Sequence, residues 1–300
     1  MSRDGARERE SLLLDLFDAL WRRYRERVSY ARVYENVLKS HGGAFRNDHV
    51  AFRTIACQKP WSGLACVARP FEALGYTAAA TYRFPDKNLS SIHLAPPSPN
   101  LPKVFVSELR AWELPERARR IALSAAAKAK PSLRDDDLAA LHACGGLPRA
   151  RRAALLAKLL KHFDRPWPVP AKADVAALER DSQFGAWVLL HGNAVNHFTA
   201  SIDAHGVESL GDIEKTVAAL KAAGVPMKPE IEGARGSKLR QSSTQAVVIP
   251  TPMKVGARTT DVPWTYAYFE LAERPLIGGL RFEGFLGGQA TNLFEMTRRA

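Results

Sequence analysis

Apolar side chains near the start of the chain return every three or four positions, at Leu12, Leu13, Leu14, Phe17, Leu20 and Trp21. That spacing predicts helix over residues 7–41. A second helix, from Tyr30 to Ser40, is stopped by Gly42-Gly43. The period then shortens to two. His49 to Ile55 alternates and is rich in strand formers. Pro70 to Gly75 reads as the end of a helix, and Tyr76–Phe84, Ser90–Leu94 and Lys103–Leu109 read as three further strands.

Residues 113–190 change character. They are rich in Ala, Leu, Arg and Lys, with Pro and Gly only at breaks. Four helices are predicted, at Pro115–Lys130, Arg134–Ala143, Arg149–Phe163 and Asp174–Leu190. The strand pattern then returns at Val195–Ile202. A helix follows from Ser209, its expected N-cap, to Ala223, with Gly224 as its stop. Strands are expected at Met227–Ile231, Gln245–Ile249 and Trp264–Leu271.

A βαβββ order therefore occurs twice, at 45–110 and 194–273. One such unit buries its sheet face only against a partner. The expected class is α+β, with two paired βαβββ units forming a curved sheet around a cleft. The expected segments are N-terminal helices at 1–44, a first unit at 45–112, a helical insertion at 113–193, and a second unit with a C-terminal segment at 194–300.

Composition adds exclusions. No run of apolar residues is long enough for a membrane span, and no secretory h-region follows the charged N-terminus. Three cysteines, Cys57, Cys66 and Cys144, fit neither a disulfide framework nor a zinc ribbon. A cytoplasmic setting is the expectation. The net charge of +12 raises the question of nucleic acid. The basic residues sit in predicted helices without interleaved aromatic rings, so solvated helix faces explain them better, and the charge also suits an anionic small substrate. No interface pattern is legible, which leaves the oligomeric state open.

The repeat places Asp48-His49 and Asn196-His197 at equivalent points, each His near the start of its unit's first strand. Glu270 ends an aromatic strand, where a carboxylate is costly unless paired or coordinated. Two imidazoles and one carboxylate make a facial site for Fe(II) with open positions for substrate and O₂. Zn, Ni or Mn can occupy the same ligands. A single strand His is more often a hydrogen-bonded core or surface group than a ligand, and His93, His142, His162, His191 and His205 compete. A salt bridge is the other reading of Glu270, and Glu273 is the weaker alternative ligand. Arg53, four residues after His49, returns to the same strand face and can hold a carboxylate; a structural ion pair is its other reading. The polar run Gly236–Thr244 offers Ser237, Arg240, Gln241 and Ser243 as substrate-binding donors, or is turn chemistry.

The segments Asp48–Arg53, Val195-Asn196-His197, Gln241–Thr244, Tyr268-Phe269-Glu270 and Phe282–Phe285 together resemble the 2-oxoadipate dioxygenase/decarboxylase family. That family, also called hydroxyglutarate synthase, is part of the glyoxalase-like vicinal oxygen chelate superfamily. The resemblance spans most of the chain. It implies an iron site at His49, His197 and Glu270, with Arg53 on a substrate carboxylate. It also implies oxidative decarboxylation and hydroxylation of a 2-oxo acid, with 2-oxoadipate giving 2-hydroxyglutarate and CO₂ in lysine catabolism. The family type carries further C-terminal sequence that shapes the substrate pocket, so the resemblance leaves the 2-oxo acid itself open. Three other functions remain: a glyoxalase-like isomerase or lyase that needs no O₂, a basic nucleic-acid-binding module, and a metal-free binding protein on the same scaffold.

Overall fold

The computed structural model describes residues 3–57 and 62–287. The outermost residues of the expected 1–44 and 194–300 segments lie outside the described residues.

Two helices open the chain, α1 (Arg3–Arg27) and α2 (Ser29–Ser40). Next come β1 (Asn47–Ala56), α3 (Leu64–Ala73), β2 (Thr77–Phe84), β3 (Leu89–Ala95) and β4 (Lys103–Arg110). A run of helices follows: α4 (Glu116–Ala126), α5 (Asp135–His142), α6 (Arg149–His162), α7 (Lys172–Asp181) and α8 (Gln183–His191). The remainder is β5 (Val195–Ser201), α9 (Ile213–Ala222), β6 (Arg240–Ser243), β7 (Val248–Val255), β8 (Arg258–Thr265), β9 (Glu270–Glu273), β10 (Leu276–Ile277) and β11 (Leu280–Arg281). No described helix is long and apolar enough to cross a membrane.

The chain divides into two compact units. The first comprises Met1–Arg22, Ala51–Val195 and Pro250–Pro263; the second comprises Arg23–Val50, Asn196–Ile249 and Trp264–Ala300. In the first, the strands follow the order β2-β3-β4-β1. β3 runs antiparallel to both β2 and β4, with Leu94 opposite Val104. β1 is buried from Asp48 onward, as expected for a strand covered on both faces. Its Phe52 packs against Phe71 of α3 and Phe163 after α6, with ring centroids 5.6 and 4.8 Å away. Phe17 of α1 stacks on Phe71 at 6.0 Å. The helical spacing of apolar residues in α1 therefore serves this aromatic core.

In the second unit the order is β1-β5-β9-β6. β5 runs parallel to β9 and β6 antiparallel to it. Past β6, among the described residues, the chain makes the two bridges Met227↔Thr244 and Glu232↔Gln241. They replace the strand expected at Met227–Ile231. With them, β5, α9, 227–232, β6 and β9 repeat the roles of β1, α3, β2, β3 and β4. The βαβββ order thus recurs, and the β7–β8 hairpin is inserted before its last strand.

Several boundaries differ from the sequence expectation. The helix expected at Asp174–Leu190 is two helices, because the Ser182 hydroxyl accepts from Gly185 N and starts α8 afresh. Asp212, not Ser209, caps α9 by accepting from Lys215 N at 2.7 Å. Ser209 lies in a short 3-10 turn, Glu208–Leu210. Of the strand expected at Gln245–Ile249, only Val248 and Ile249 are in a strand, at the start of β7, and the polar run before it forms β6. The one expected at Trp264–Leu271 is broken over 266–269. There Val247 and Thr244 take up the backbone of Tyr266, Ala267 and Phe269. Gly43 ends the α2 turn where the 205–207 segment passes. A Cβ there would meet Val207 Cγ2 at 2.2 Å, so no larger residue fits.

Candidate metal centre

Strand register builds this centre, and it lies wholly in the second unit. Parallel pairing sets Thr199 of β5 beside Glu270 of β9, and antiparallel pairing sets Ser243 of β6 on the other side. Paired residues share a sheet face, and so do residues two apart. His197 therefore joins Thr199, Glu270, Ser243 and Gln241 on one face. Gln241 stands opposite the small Ala272, which leaves room for its amide to donate to Glu270 Oε1.

His49, at the start of β1, completes a buried triad with His197 and Glu270 whose ligand atoms all lie within 4.8 Å of one another. His197 Nε2 is 3.1 Å from Glu270 Oε2, and His49 Nε2 is 3.8 Å from Oε1. The two rings meet edge to face at 5.5 Å.

Each imidazole is held from behind by the residue before it. Asp48 Oδ1 is 2.7 Å from His49 Nδ1, and Asn196 Oδ1 is 3.0 Å from His197 Nδ1. Oxygen acceptors there keep the proton on Nδ1 and turn the Nε2 lone pairs inward. Two lone pairs and a carboxylate facing one another repel unless a cation or protons lie between them. The Thr199 hydroxyl, 3.0 Å from His49 Nε2, answers part of that demand. Glu270 is fully buried, which pushes its carboxyl well above the usual carboxylate range, against the lowering pull of the Gln241 amide. Glu270 Oε2 has no hydrogen-bond donor among the described residues. A divalent cation fits this donor set.

Behind His49 stands a second buried charge pair. Arg274 Nε donates to Asp48 Oδ2 at 2.7 Å, and Arg274 Nη2 to Oδ1 at 3.1 Å. Arg274 Nη1 also donates to the carbonyls of Phe282 and Gly284, at 2.9 and 2.7 Å. That grip carries Phe285, whose ring meets His49 edge to face at 4.8 Å. Tyr268 stacks on His197 at 4.9 Å, and the Tyr24 hydroxyl donates to the Tyr268 carbonyl.

The other residues singled out from the sequence divide. Gln241 touches the triad, and Ser243 faces Glu270 with a buried hydroxyl that has no partner among the described residues. Arg240 points elsewhere: its guanidinium pairs with Glu214 and with Glu273, the latter at 2.8 Å. The same pairing gives Glu273, the alternative ligand, a different task. Ser237 closes a turn by donating to Leu239 O. Arg53 is buried farther along β1, its guanidinium carbon 4.9 and 5.2 Å from the ring centroids of Phe184 and Trp187 on α8. His162 and His205 bond backbone carbonyls. The sequence reading missed Asp48, Asn196 and Arg274 as supports. The first two carry a signal, since each precedes its His at matching repeat positions. Arg274 carries none, lying 226 residues from Asp48.

Comparison with known proteins identifies the family and the fold. The chain is 27% identical over 275 residues to the chloroplastic 2-oxoadipate dioxygenase/decarboxylase of Arabidopsis thaliana, spanning 83% of this chain and 67% of that protein. Among solved structures, a putative glyoxalase superfamily protein from Ralstonia eutropha JMP134 matches with a TM-score of 0.79 at 24% identity, over 89% of this chain and 83% of that one. The hydroxyglutarate synthase of Oryza sativa, in complex with 2-oxoadipate, matches with a TM-score of 0.78 at 23% identity, over 99% and 94%. At these identities the two structures establish the fold. The family described as 2-oxoadipate dioxygenase/decarboxylase matches residues 16–292, a stretch that holds all three members of the triad. From that match, the chain belongs to the 2-oxoadipate dioxygenase/decarboxylase family.

Proposed function

We propose that this protein is an Fe(II)-dependent dioxygenase acting on a 2-oxo acid, with 2-oxoadipate as its substrate. The reaction is 2-oxoadipate plus O₂ giving 2-hydroxyglutarate plus CO₂, which balances in every atom. The observation that carries this reading is the convergence of two imidazole Nε2 atoms and one buried carboxylate within 4.8 Å, each imidazole fixed at Nδ1. Such a set leaves positions for a bidentate 2-oxo acid and for O₂. The family membership and the relatives' names support the same chemistry.

Fe(II) held by His49, His197 and Glu270 would supply Lewis acidity toward the 2-oxo acid and the electrons that O₂ activation needs. The chain's own side chains do the rest. Glu270 contributes one negative charge, its Oε1 anchored by Gln241. Asp48 and Asn196 hold the Nδ1 protons, so each Nε2 stays a donor. Ser243 offers a hydroxyl beside Glu270 that can donate to a substrate oxygen. Arg53, its guanidinium held against Phe184 and Trp187, is assigned to a substrate carboxylate. Burial of the triad keeps bulk water from competing.

The test is anaerobic reconstitution with Fe(II), then addition of O₂ and a panel of 2-oxo acids. The expected result is O₂ uptake matched by CO₂ release, strongest with 2-oxoadipate, and none with Zn(II) in place of iron. Iron bound stoichiometrically with no O₂ uptake on any 2-oxo acid would sink the proposal.

A further inference from the structure

A second concave site lies in the first unit, formed by residues that the metal centre does not use. α4 contributes Arg117 and Arg120, Lys128 follows just past its end, and β7 contributes Lys254. Positions 117, 120 and 124 recur every three or four residues, so they share one helix face, and Lys128 lies in the turn that follows. Lys254 N donates to Pro170 O at 2.8 Å, which fixes β7 to the segment leading into α7. The resulting groove encloses about 460 Å³, within the range of small-molecule sites.

Its charge is lopsided. All four cations are exposed, and none of them forms an ion pair among the described residues. Asp174 is the one carboxylate among the described lining residues. α7 starts at this wall with Ala171, which brings no capping side chain, so its terminal N–H groups add positive potential. The opposite character is also present. Ile121 and the Trp167–Pro170 segment give an apolar wall, and Trp167 is held rigid by its N–H bond to Leu189 O at 2.8 Å.

We propose that this groove binds a small molecule carrying an oligophosphate chain. Four cations faced by the single carboxylate of Asp174 leave the described lining with an excess of positive charge, and a ligand bearing three or four negative charges complements it. Two guanidinium forks match phosphate oxygens bidentately, and the two ammonium groups serve as point charges. The apolar wall receives whatever body the phosphates carry.

The experiment is calorimetric titration of the full chain with tripolyphosphate and, separately, with ATP, at low and at physiological salt. The expected result is saturable binding of one ligand per chain that weakens with salt. The double variant Arg120→Ala/Lys254→Ala should bind roughly tenfold or more weakly, while keeping its melting temperature and metal content. Lys161→Ala, the loss of one exposed charge on α6 outside the groove, should leave binding within about twofold. Equal affinity for the two probes assigns the site to the phosphate chain alone, and tighter ATP binding adds the apolar wall; both support the proposal. Absence of saturable binding at low salt would overturn it. So would an equal loss in Lys161→Ala. A single-stranded oligonucleotide that binds more tightly than either probe, through the same two residues, would also overturn it in favour of a nucleic-acid surface.

Discussion

Arg274 reaches Asp48 through two N–H groups, Asp48 reaches His49 Nδ1, and His49 Nε2 faces the triad. The whole chain of contacts is buried, so each member is worth more than on a surface, and removing one strands its neighbour. Arg274→Ala leaves Asp48 without its charge partner and releases the carbonyls of Phe282 and Gly284. Metal affinity should fall about 10- to 100-fold, read by competition with a chromogenic chelator. Affinity equal to that of the parent would remove the positioning role. Arg53 stands apart from this network, on β1 with its guanidinium against Phe184 and Trp187. Arg53→Ala should lower kcat/KM for 2-oxo diacids by about 10- to 100-fold, the size of a lost charged hydrogen bond, with metal content intact. An unchanged kcat/KM on every accepted 2-oxo acid would strip Arg53 of its assigned task.

At the scale of elements, β6 shows how a polar run becomes a buried strand. Arg240 and Gln241 point to opposite faces, and each finds carboxylates: Glu214 and Glu273 for one, Glu270 for the other. Polar residues are affordable there because the strand's partners answer them. The Arg240 guanidinium holds the Glu214 carboxyl down at about 2, against an ordinary 4.5. A depressed carboxylate contributes stability above its unfolded pKa and loses it as pH falls through the folded one. Glu214→Gln should therefore cost about 1 kcal/mol near neutrality, discounted because Glu214 is partly in solvent. The gap in melting temperature between parent and variant should shrink below pH 4.5 and close near pH 2. A gap that stayed constant through that window would mean the pair is not what stabilises β6 against α9.

For the whole molecule, the facing Nε2 atoms and buried Glu270 carboxylate make the metal-free state electrostatically strained, and a cation relieves it. Binding to the folded state alone stabilises by about 2.7 kcal/mol at a free metal concentration of 100 Kd. In a chain of this size that should raise Tm by several degrees. Calorimetric scans of the parent with added Fe(II), kept anaerobic, should show the rise, and Glu270→Gln should not. A rise of the same size in Glu270→Gln would place the stabilising metal elsewhere.

Periodicity alone determined most of the elements. Patterns of 3.6 and 2 survive in any context where one face is buried, so α1, α2, α4 to α6 and β1 to β5 were legible to within a few residues, and of α3 only its end. The repeat of Asp48-His49 and Asn196-His197 pointed to the two imidazoles that meet Glu270 for the same reason: duplicated local structure leaves duplicated local sequence. Breaks decided by competition were not legible. Ser182 divides α7 from α8 by a side-chain bond, and the 266–269 break depends on Thr244 and Val247 from a distant segment. The sense of Arg240, the anchoring of Glu270 and the whole role of Arg274 also waited on tertiary structure. Long-range pairing has no period to leave in the sequence, since it is set by which strands lie side by side and in what register.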